Sequence, residues 1–265
     1  LVLPLFHIFA LTVGLNISVL LGASITLLPQ FKVKEVFKSL ENYKTTFFPA
    51  VPSLFTIMNN SPLIKKYKLS SLRLCLSGGA ALPPEVMEKF EKMTSVKIYE
   101  GYGLSEASPM THANPISANR KKGTIGLPLP GTDVKIVKGT LFERSQTPEH
   151  EGELLVSGPQ VMKGYWNRPD ETKKILNKGW LHTGDIAKTD EQGFCKIMDR
   201  KKEMILVGGN NVYPTEIEKI LYEKPEIQEA AVIGLPDKSR GEYIKAFVVL
   251  KDGTSLKGED IIKYC

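Results

Sequence analysis

Asp185 and Arg200 flank a predicted hairpin in the stretch GWLHTGDIAKTDEQGFCKIMDRKKEMILVGG, which runs from Gly179 to Gly209. An ionised carboxylate accepts two hydroxyl hydrogen bonds, and a guanidinium donates several. Together they suit a vicinal diol such as that of a ribose. Asp185 follows a tight Thr183-Gly184 step. Thr189-Asp190-Glu191-Gln192-Gly193 reads as the turn, and Phe194 to Met198 as the return strand. A solvated hairpin with a basic exit has the same residue types, so composition alone leaves both readings open.

Three other segments hold groups of chemical interest. The first is Tyr99-Glu100-Gly101-Tyr102-Gly103-Leu104-Ser105-Glu106. Tyr102 offers a ring face for a purine, and Gly103 permits close approach to a phosphate. Glu106 suits Mg²⁺, which takes one or two carboxylates plus phosphate oxygens and waters; a lone surface carboxylate would look the same. The segment is no dinucleotide fingerprint, because the third glycine is missing, and GxxxxGK[ST] occurs nowhere. The second is Ser77-Gly78-Gly79-Ala80, between an apolar strand and a helix. Ligand crevices form outside the carboxyl ends of such strands, and paired glycines let a flat base reach the backbone. A plain strand-to-helix turn fits equally. The third is Pro4-Leu5-Phe6-His7-Ile8-Phe9, where a histidine beside an apolar run is more commonly a core residue. Gly152-Glu153-Leu154 and Gly164-Tyr165-Trp166-Asn167-Arg168-Pro169 read as a strand, a loop and an amphipathic turn with structural roles.

These groups need elements to position them. Val33 to Tyr43, Ser53 to Asn59 and Pro83 to Met93 carry helical periodicity, the last with proline in its first turn. Thr45 to Phe48, Leu72 to Leu76 and Val96 to Tyr99 read as strands. Such alternation predicts a doubly wound α/β layer. From about residue 123 glycine and proline become frequent, and strands follow one another at Asp133 to Val137, Glu153 to Ser157, Ile186 to Thr189 and Phe194 to Met198. That predicts a β-rich subdomain. After Lys202 the α/β pattern returns, with a helix over Pro214 to Glu223, strands over Ala230 to Gly234 and Ile244 to Leu250, and a helix from Gly258 to Cys265.

The chain has 265 residues, 42% of them hydrophobic and 24% charged, an ordinary globular composition. The net charge of +6 is spread along the chain with no basic run interleaved with aromatics, which argues against nucleic acid. Cys75, Cys195 and Cys265 are far apart and odd in number, so neither zinc nor a redox pair is indicated, and a reducing cytoplasm fits. Ile8 to Leu28 lacks charge, but Asn16, Ser18, Gly22, Ser24 and Thr26 interrupt it. Leu21-Gly22-Ala23 reads as a helix end and Ser24 to Leu28 as a buried strand. A membrane-inserted protein has only this run in its favour.

WLHTGDIA followed by DRKKEMILVGGNNVYPTEIE, with EGYGLSE, PLFH and PQVMKGYWNRPDET, resembles the adenylate-forming, AMP-binding acyl-CoA synthetase family, most of all bacterial long-chain fatty acid–CoA ligases. The resemblance covers almost the whole chain in order. It implies an internal fragment: residues 1–201 from the large AMP-binding domain, and residues 202–265 from a truncated small C-terminal domain, hinged at Lys202. The family's phosphate loop is expected before Leu1 and its catalytic lysine beyond Cys265, so the chain alone is expected to be inactive. ATP and AMP contacts fall on Gly78, Gly79, Ala80, Glu100, Gly101, Tyr102, Gly103, Ser105, Asp185 and Arg200. Glu106 is implied as the Mg²⁺ ligand, and Ser105, Glu106 and His7 as the catalytic set. His7 and Leu11 are implied beside the acyl chain, with Leu11 where some relatives have an aromatic gate. Gly208 and Gly209 are implied in coenzyme A binding. The implied reaction activates a fatty acid with ATP and transfers it to coenzyme A, in the cytoplasm or peripherally at the inner membrane face. Other expectations in the same frame are an aryl-CoA ligase and a non-catalytic nucleotide-binding relative.

Overall fold

The computed structural model describes residues 1–116, 119–137, 151–237 and 239–265. After Phe9 the chain forms a π-helical stretch, Ala10–Asn16, that runs into the short helix α1 (Ile17–Leu20). The run ends as expected, at Gly22 with φ +63°. Ser24 to Leu28 is not a buried strand: it is assigned no strand and is mostly half-exposed to exposed. Among the described residues no helix is long and apolar enough to cross a membrane.

Three parallel strands follow, β1 (Phe47–Ala50), β2 (Leu74–Ser77) and β3 (Lys97–Gly103). Parallel neighbours require crossovers, supplied here by α3 (Pro52–Asn60) and α4 (Pro84–Thr94), while α2 (Val33–Asn42) precedes β1. Each crossover helix carries proline in its first turn, and α4 ends at Ser95 in the left-handed conformation. The apolar faces of α2, α3 and α4 meet the strands in one core that includes Phe37, Phe55, Met58, Cys75, Met87, Phe90 and Ile98. β4 (Met110–Ala113) and β5 (Leu127–Pro128) extend the sheet antiparallel. The strands of this layer lie slightly later than expected. β3 runs on through Gly103 instead of stopping at Tyr99, because β4 pairs with its glycine-rich end, Gly101 with Ala113 and Tyr102 with His112.

A second sheet has the order β10-β9-β7-β6, with β8 paired to β9. Its strands are β6 (Asp133–Val137), β7 (Gly152–Ser157), β8 (Leu176–Asn177), β9 (Trp180–Thr189) and β10 (Cys195–Arg200), with the short helix α5 (Pro169–Ile175) before β8. The expected hairpin turn is present: Asp190 Oδ1 accepts the amides of Gln192 and Phe194 at 2.9 and 3.0 Å. β9 begins earlier than expected, so the Thr183-Gly184 step is a kink inside a strand, with φ +73° at Gly184. A third sheet has the order β12-β11-β14-β13, from β11 (Ile205–Val207), β12 (Asn210–Val212), β13 (Ile227–Asp237) and β14 (Gly241–Leu250). Helices α6 (Pro214–Tyr222) and α7 (Gly258–Tyr264) belong to the same region, whose core includes Ile205, Leu221, Ile227 and Val232.

The chain sorts into two compact units: Leu1–Lys135 with Leu155–Thr183 and Thr189–Lys196, and Ile136–Leu154 with Gly184–Lys188 and Ile197–Cys265.

Candidate active site

In the first unit the glycine run sits at the carboxyl end of β2. Ser77 and Gly78 are buried, whereas Gly79 (φ +83°) and Ala80 are exposed. A Cβ on Gly78 would lie 3.3 Å from the Gly101 carbonyl oxygen and 3.4 Å from the Phe9 ring. The two glycine segments are therefore packed backbone to backbone.

Glu100 lies beside Ser77 across the β2–β3 ladder. Its side chain is buried, and Oε1 accepts the Leu82 amide at 3.1 Å. It therefore fixes the chain just past the glycine run. Oε2 and the neighbouring Ser77 hydroxyl are buried without a hydrogen-bond partner among the described residues. Burial pushes the Glu100 carboxyl up to about 7, against the pull of the Leu82 amide and the Arg120 guanidinium. His112, on β4 opposite Tyr102, is fully buried, and burial lowers its imidazole to about 4. Its ring and that of Tyr102 form an edge-to-face pair, centroids 6.0 Å apart and planes at 66°. Nothing in the local sequence had singled out His112.

These two groups give opposite pH dependences. The folded chain holds a proton on Glu100 that the unfolded chain releases above its ordinary 4.5, so this group erodes stability as pH rises toward 7. His112 stays neutral in the fold while the unfolded chain charges below 6.5, so its contribution improves with pH between about 4 and 6.5. Each is worth up to about 3 kcal/mol. Glu100→Gln keeps an acceptor for Leu82 and removes only the first effect. Urea unfolding should show the variant stabilised relative to wild type at pH 8 and unchanged at pH 4.5. An equal difference at both values would contradict the burial of that carboxyl.

Ser105, Glu106 and Ala107 form a 3-10 turn directly after β3. Ser105 is exposed and Glu106 half-buried. The Tyr165 hydroxyl donates to Glu106 Oε1 at 2.6 Å, and the Met162 amide donates to the Glu106 carbonyl at 2.8 Å. That bond to the carboxylate pushes the Tyr165 phenol up to about 12. Tyr165, read from sequence as structural, is thus the residue that orients Glu106. His7 is not a core histidine: it is exposed, and its Nδ1 accepts the Phe9 amide at 3.2 Å. Leu11 is half-buried in the π-helical stretch.

In the second unit Asp185 and Arg200 meet. Arg200 Nε stands 2.9 Å from Asp185 Oδ1, the carboxylate side chain 8% exposed and the guanidinium side chain 57% exposed. Ile186, Met198 and Tyr213 form the apolar cluster beneath the pair. Asp199, between them in sequence, accepts the Arg200 amide at 2.7 Å and the Thr215 amide at 3.0 Å, which satisfies an orphan donor in the first turn of α6. Lys202 lies in the turn after β10, where the Arg200 carbonyl accepts the Glu203 and Met204 amides. Its side chain is 79% exposed, with Glu203 at 4.0 Å. Gly208 and Gly209 form the two-residue turn between β11 and β12, with φ +58° and +86°. Positive φ at both centres is what such a hairpin turn requires, so these glycines have a backbone reason of their own.

The first unit thus ends a parallel layer in two glycine segments, and the second holds a carboxylate–guanidinium pair. The profile described as AMP-binding enzyme matches residues 1–166, and that of the AMP-binding enzyme C-terminal domain matches residues 216–265. The chain belongs to the AMP-binding enzyme family. It is 50% identical over 260 residues to a long-chain-fatty-acid–CoA ligase of Bacillus subtilis (strain 168), covering 98% of this chain and 46% of that protein. It is 44% identical over 264 residues to the ligase of the same name from Escherichia coli O157:H7, covering 99% of this chain and 46% of that one. Among solved structures, ATP-bound MatB from Rhodopseudomonas palustris aligns with a TM-score of 0.92 at 31% identity, over 99% of this chain and 52% of that one. The chain spans about half the length of the curated relatives it matches.

Proposed function

We propose that this chain supplies the nucleotide-binding and hinge segments of an AMP-forming long-chain fatty acid–CoA ligase. The observation that carries the proposal is the Asp185–Arg200 pair, 2.9 Å apart with its guanidinium open to solvent. The name shared by the relatives at 44–50% identity supports the fatty acid as substrate.

In this reading Asp185 and Arg200 take the ribose hydroxyls. Gly78, Gly79, Ala80 and Tyr102 take the adenine, Glu100 and Gly101 belong to the wider AMP contact, and Gly103 and Ser105 lie by the α-phosphate. A fatty carboxylate oxygen attacks the α-phosphorus, the bond to pyrophosphate breaks, and an acyl-adenylate forms. The coenzyme A thiol then attacks the acyl carbon, loses its proton and displaces AMP. These residues act by positioning and by meeting developing charge. His7 and Leu11 would stand by the acid, and Gly208 and Gly209 by the pantetheine arm.

Glu106 suits Mg²⁺ in one respect: its Oε1 is engaged by Tyr165, which leaves Oε2 for a cation. Among the described residues no cluster of three metal-type side chains exists, so phosphate oxygens and water would complete the shell, as is usual for Mg²⁺. When bound, the ion neutralises phosphate charge. The site would work on the cytoplasmic side, with peripheral attachment to the inner membrane face.

Lys202 is the proposed hinge between residues 1–201 and 202–265. A hinge works by φ/ψ change at few residues, and proline fixes φ near −65°. In a full-length enzyme containing this chain, Lys202→Pro should slow one half-reaction at least about tenfold more than the other, a gap of about 1.4 kcal/mol. Equal losses of pyrophosphate exchange and thioester formation would exclude a hinge there. The function as a whole is tested by AMP release and thioester formation with palmitate and benzoate. Palmitate should be the preferred acid. Preference for benzoate would indicate an aryl-CoA ligase, and nucleotide binding without any thioester a non-catalytic relative.

A further inference from the structure

Glu153 has no role in the reading above, yet its carboxylate bonds to a sequence neighbour of each member of the Asp185–Arg200 pair. It stands on β7 with its side chain only 7% exposed. Oε2 accepts the Lys201 ammonium at 2.8 Å, and Oε1 accepts the Gly184 amide at 3.3 Å. The Gly184 carbonyl in turn accepts the Lys201 amide at 2.8 Å. Glu153 at the start of β7, Gly184 at the kink inside β9 and Lys201 just after β10 thus close a ring of hydrogen bonds. Gly184 is the residue before Asp185, and Lys201 the residue after Arg200.

Gly184 needs such a restraint. It has φ +73°, and no atom lies within 4 Å of where its Cβ would be. Nothing packs at that position, and the ring ties both the amide and the carbonyl of Gly184. The two adjacent lysines also differ. Lys201 is tied through both its amide and its ammonium, whereas Lys202 is 79% exposed with Glu203 at 4.0 Å.

We infer that Glu153 is a positioning residue: through Gly184 and Lys201 it sets the separation and aim of Asp185 and Arg200, and anchors the backbone immediately before Lys202. The inference rests on the ribose assignment of that pair. A buried carboxylate that loses its cation is left poorly compensated, so the strand end carrying Arg200 should shift even though neither Glu153 nor Lys201 touches the nucleotide.

The test uses a full-length enzyme containing this chain, with Glu153→Gln, Lys201→Met, the double variant, Lys201→Arg and Asp185→Ala. Glu153→Gln retains an acceptor for Gly184 but loses the charge facing Lys201. Each of the two single variants should raise the KM for ATP about tenfold, as loss of a charge-assisted bond implies, with the KM for palmitate unchanged. The double variant should be no worse than the poorer single one, since both remove the same contact. Lys201→Arg should restore most of the ATP affinity. Unchanged KM for ATP in Glu153→Gln and Lys201→Met, with a raised value in Asp185→Ala, would overturn the inference and leave the ribose assignment standing. An unchanged value in Asp185→Ala as well would overturn both. Should Glu153→Gln fail to fold, Lys201→Met decides alone, because that side chain is 46% exposed; a fall in kcat without any change in KM would mark a merely structural contact.

Discussion

Asp185→Ala is expected to raise the KM for ATP between about tenfold and a hundredfold in a full-length enzyme, and to leave the KM for the fatty acid near its wild-type value. A hydrogen bond to a charged group contributes about 1.5–3 kcal/mol, and the carboxylate would lose its bonds to the ribose. The substitution does not strand a buried cation, because the Arg200 side chain is 57% exposed and water can replace its partner. The effect should therefore fall on the ATP dependence. Asp185→Asn, which keeps the shape and one acceptor, should fall between the two. An unchanged ATP dependence in Asp185→Ala would remove the ribose assignment.

Gly103→Ala is expected to cost stability by about 4 kcal/mol or more, in the range where a single substitution needs a steric cause. The cause is the backbone leading into β4. A Cβ at this position would overlap the Pro109 carbonyl oxygen, lie 2.6 Å from the carbonyl carbon and 2.8 Å from the Met110 Cα. All three are backbone atoms and cannot rotate away. Gly101→Ala is the matched control. There the nearest atom is the Met110 methyl at 2.8 Å, the far end of a flexible side chain, so the cost should be roughly 1 kcal/mol. Chemical denaturation of both variants without nucleotide separates this packing demand from any contact with phosphate. Similar stabilities for the two would show that β3 and β4 are not so closely apposed.

The helices were legible because their apolar spacing and terminal prolines are local signals. Val33–Asn42 and Pro84–Thr94 lie within a residue or two of where periodicity placed them. The hairpin at Asp190 was legible because turn chemistry is written in adjacent residues. The glycine-rich end of β3 was not, since its strand character comes from pairing with β4. Neither was the π-helical stretch at Ala10–Asn16, because seven residues without charge do not separate one helical period from another. The residues that orient the candidate site were the least legible. Lys201 reaches Glu153 across 48 positions, and Tyr165 reaches Glu106 across 59, and no local pattern encodes a bond at that distance. The exposure of His7 was not legible for a related reason: an apolar neighbourhood in sequence does not decide which side chains face out.

In the proposed function the residues of this chain bind ATP so that a fatty acid can be adenylated. Its most direct test is exchange of labelled pyrophosphate into ATP by a full-length enzyme containing this chain, with Mg²⁺ and without coenzyme A. Exchange should require palmitate, and Asp185→Ala should move its ATP dependence to higher concentration. Exchange that proceeds equally without any acid, or no exchange while the protein still binds AMP, would contradict the claim.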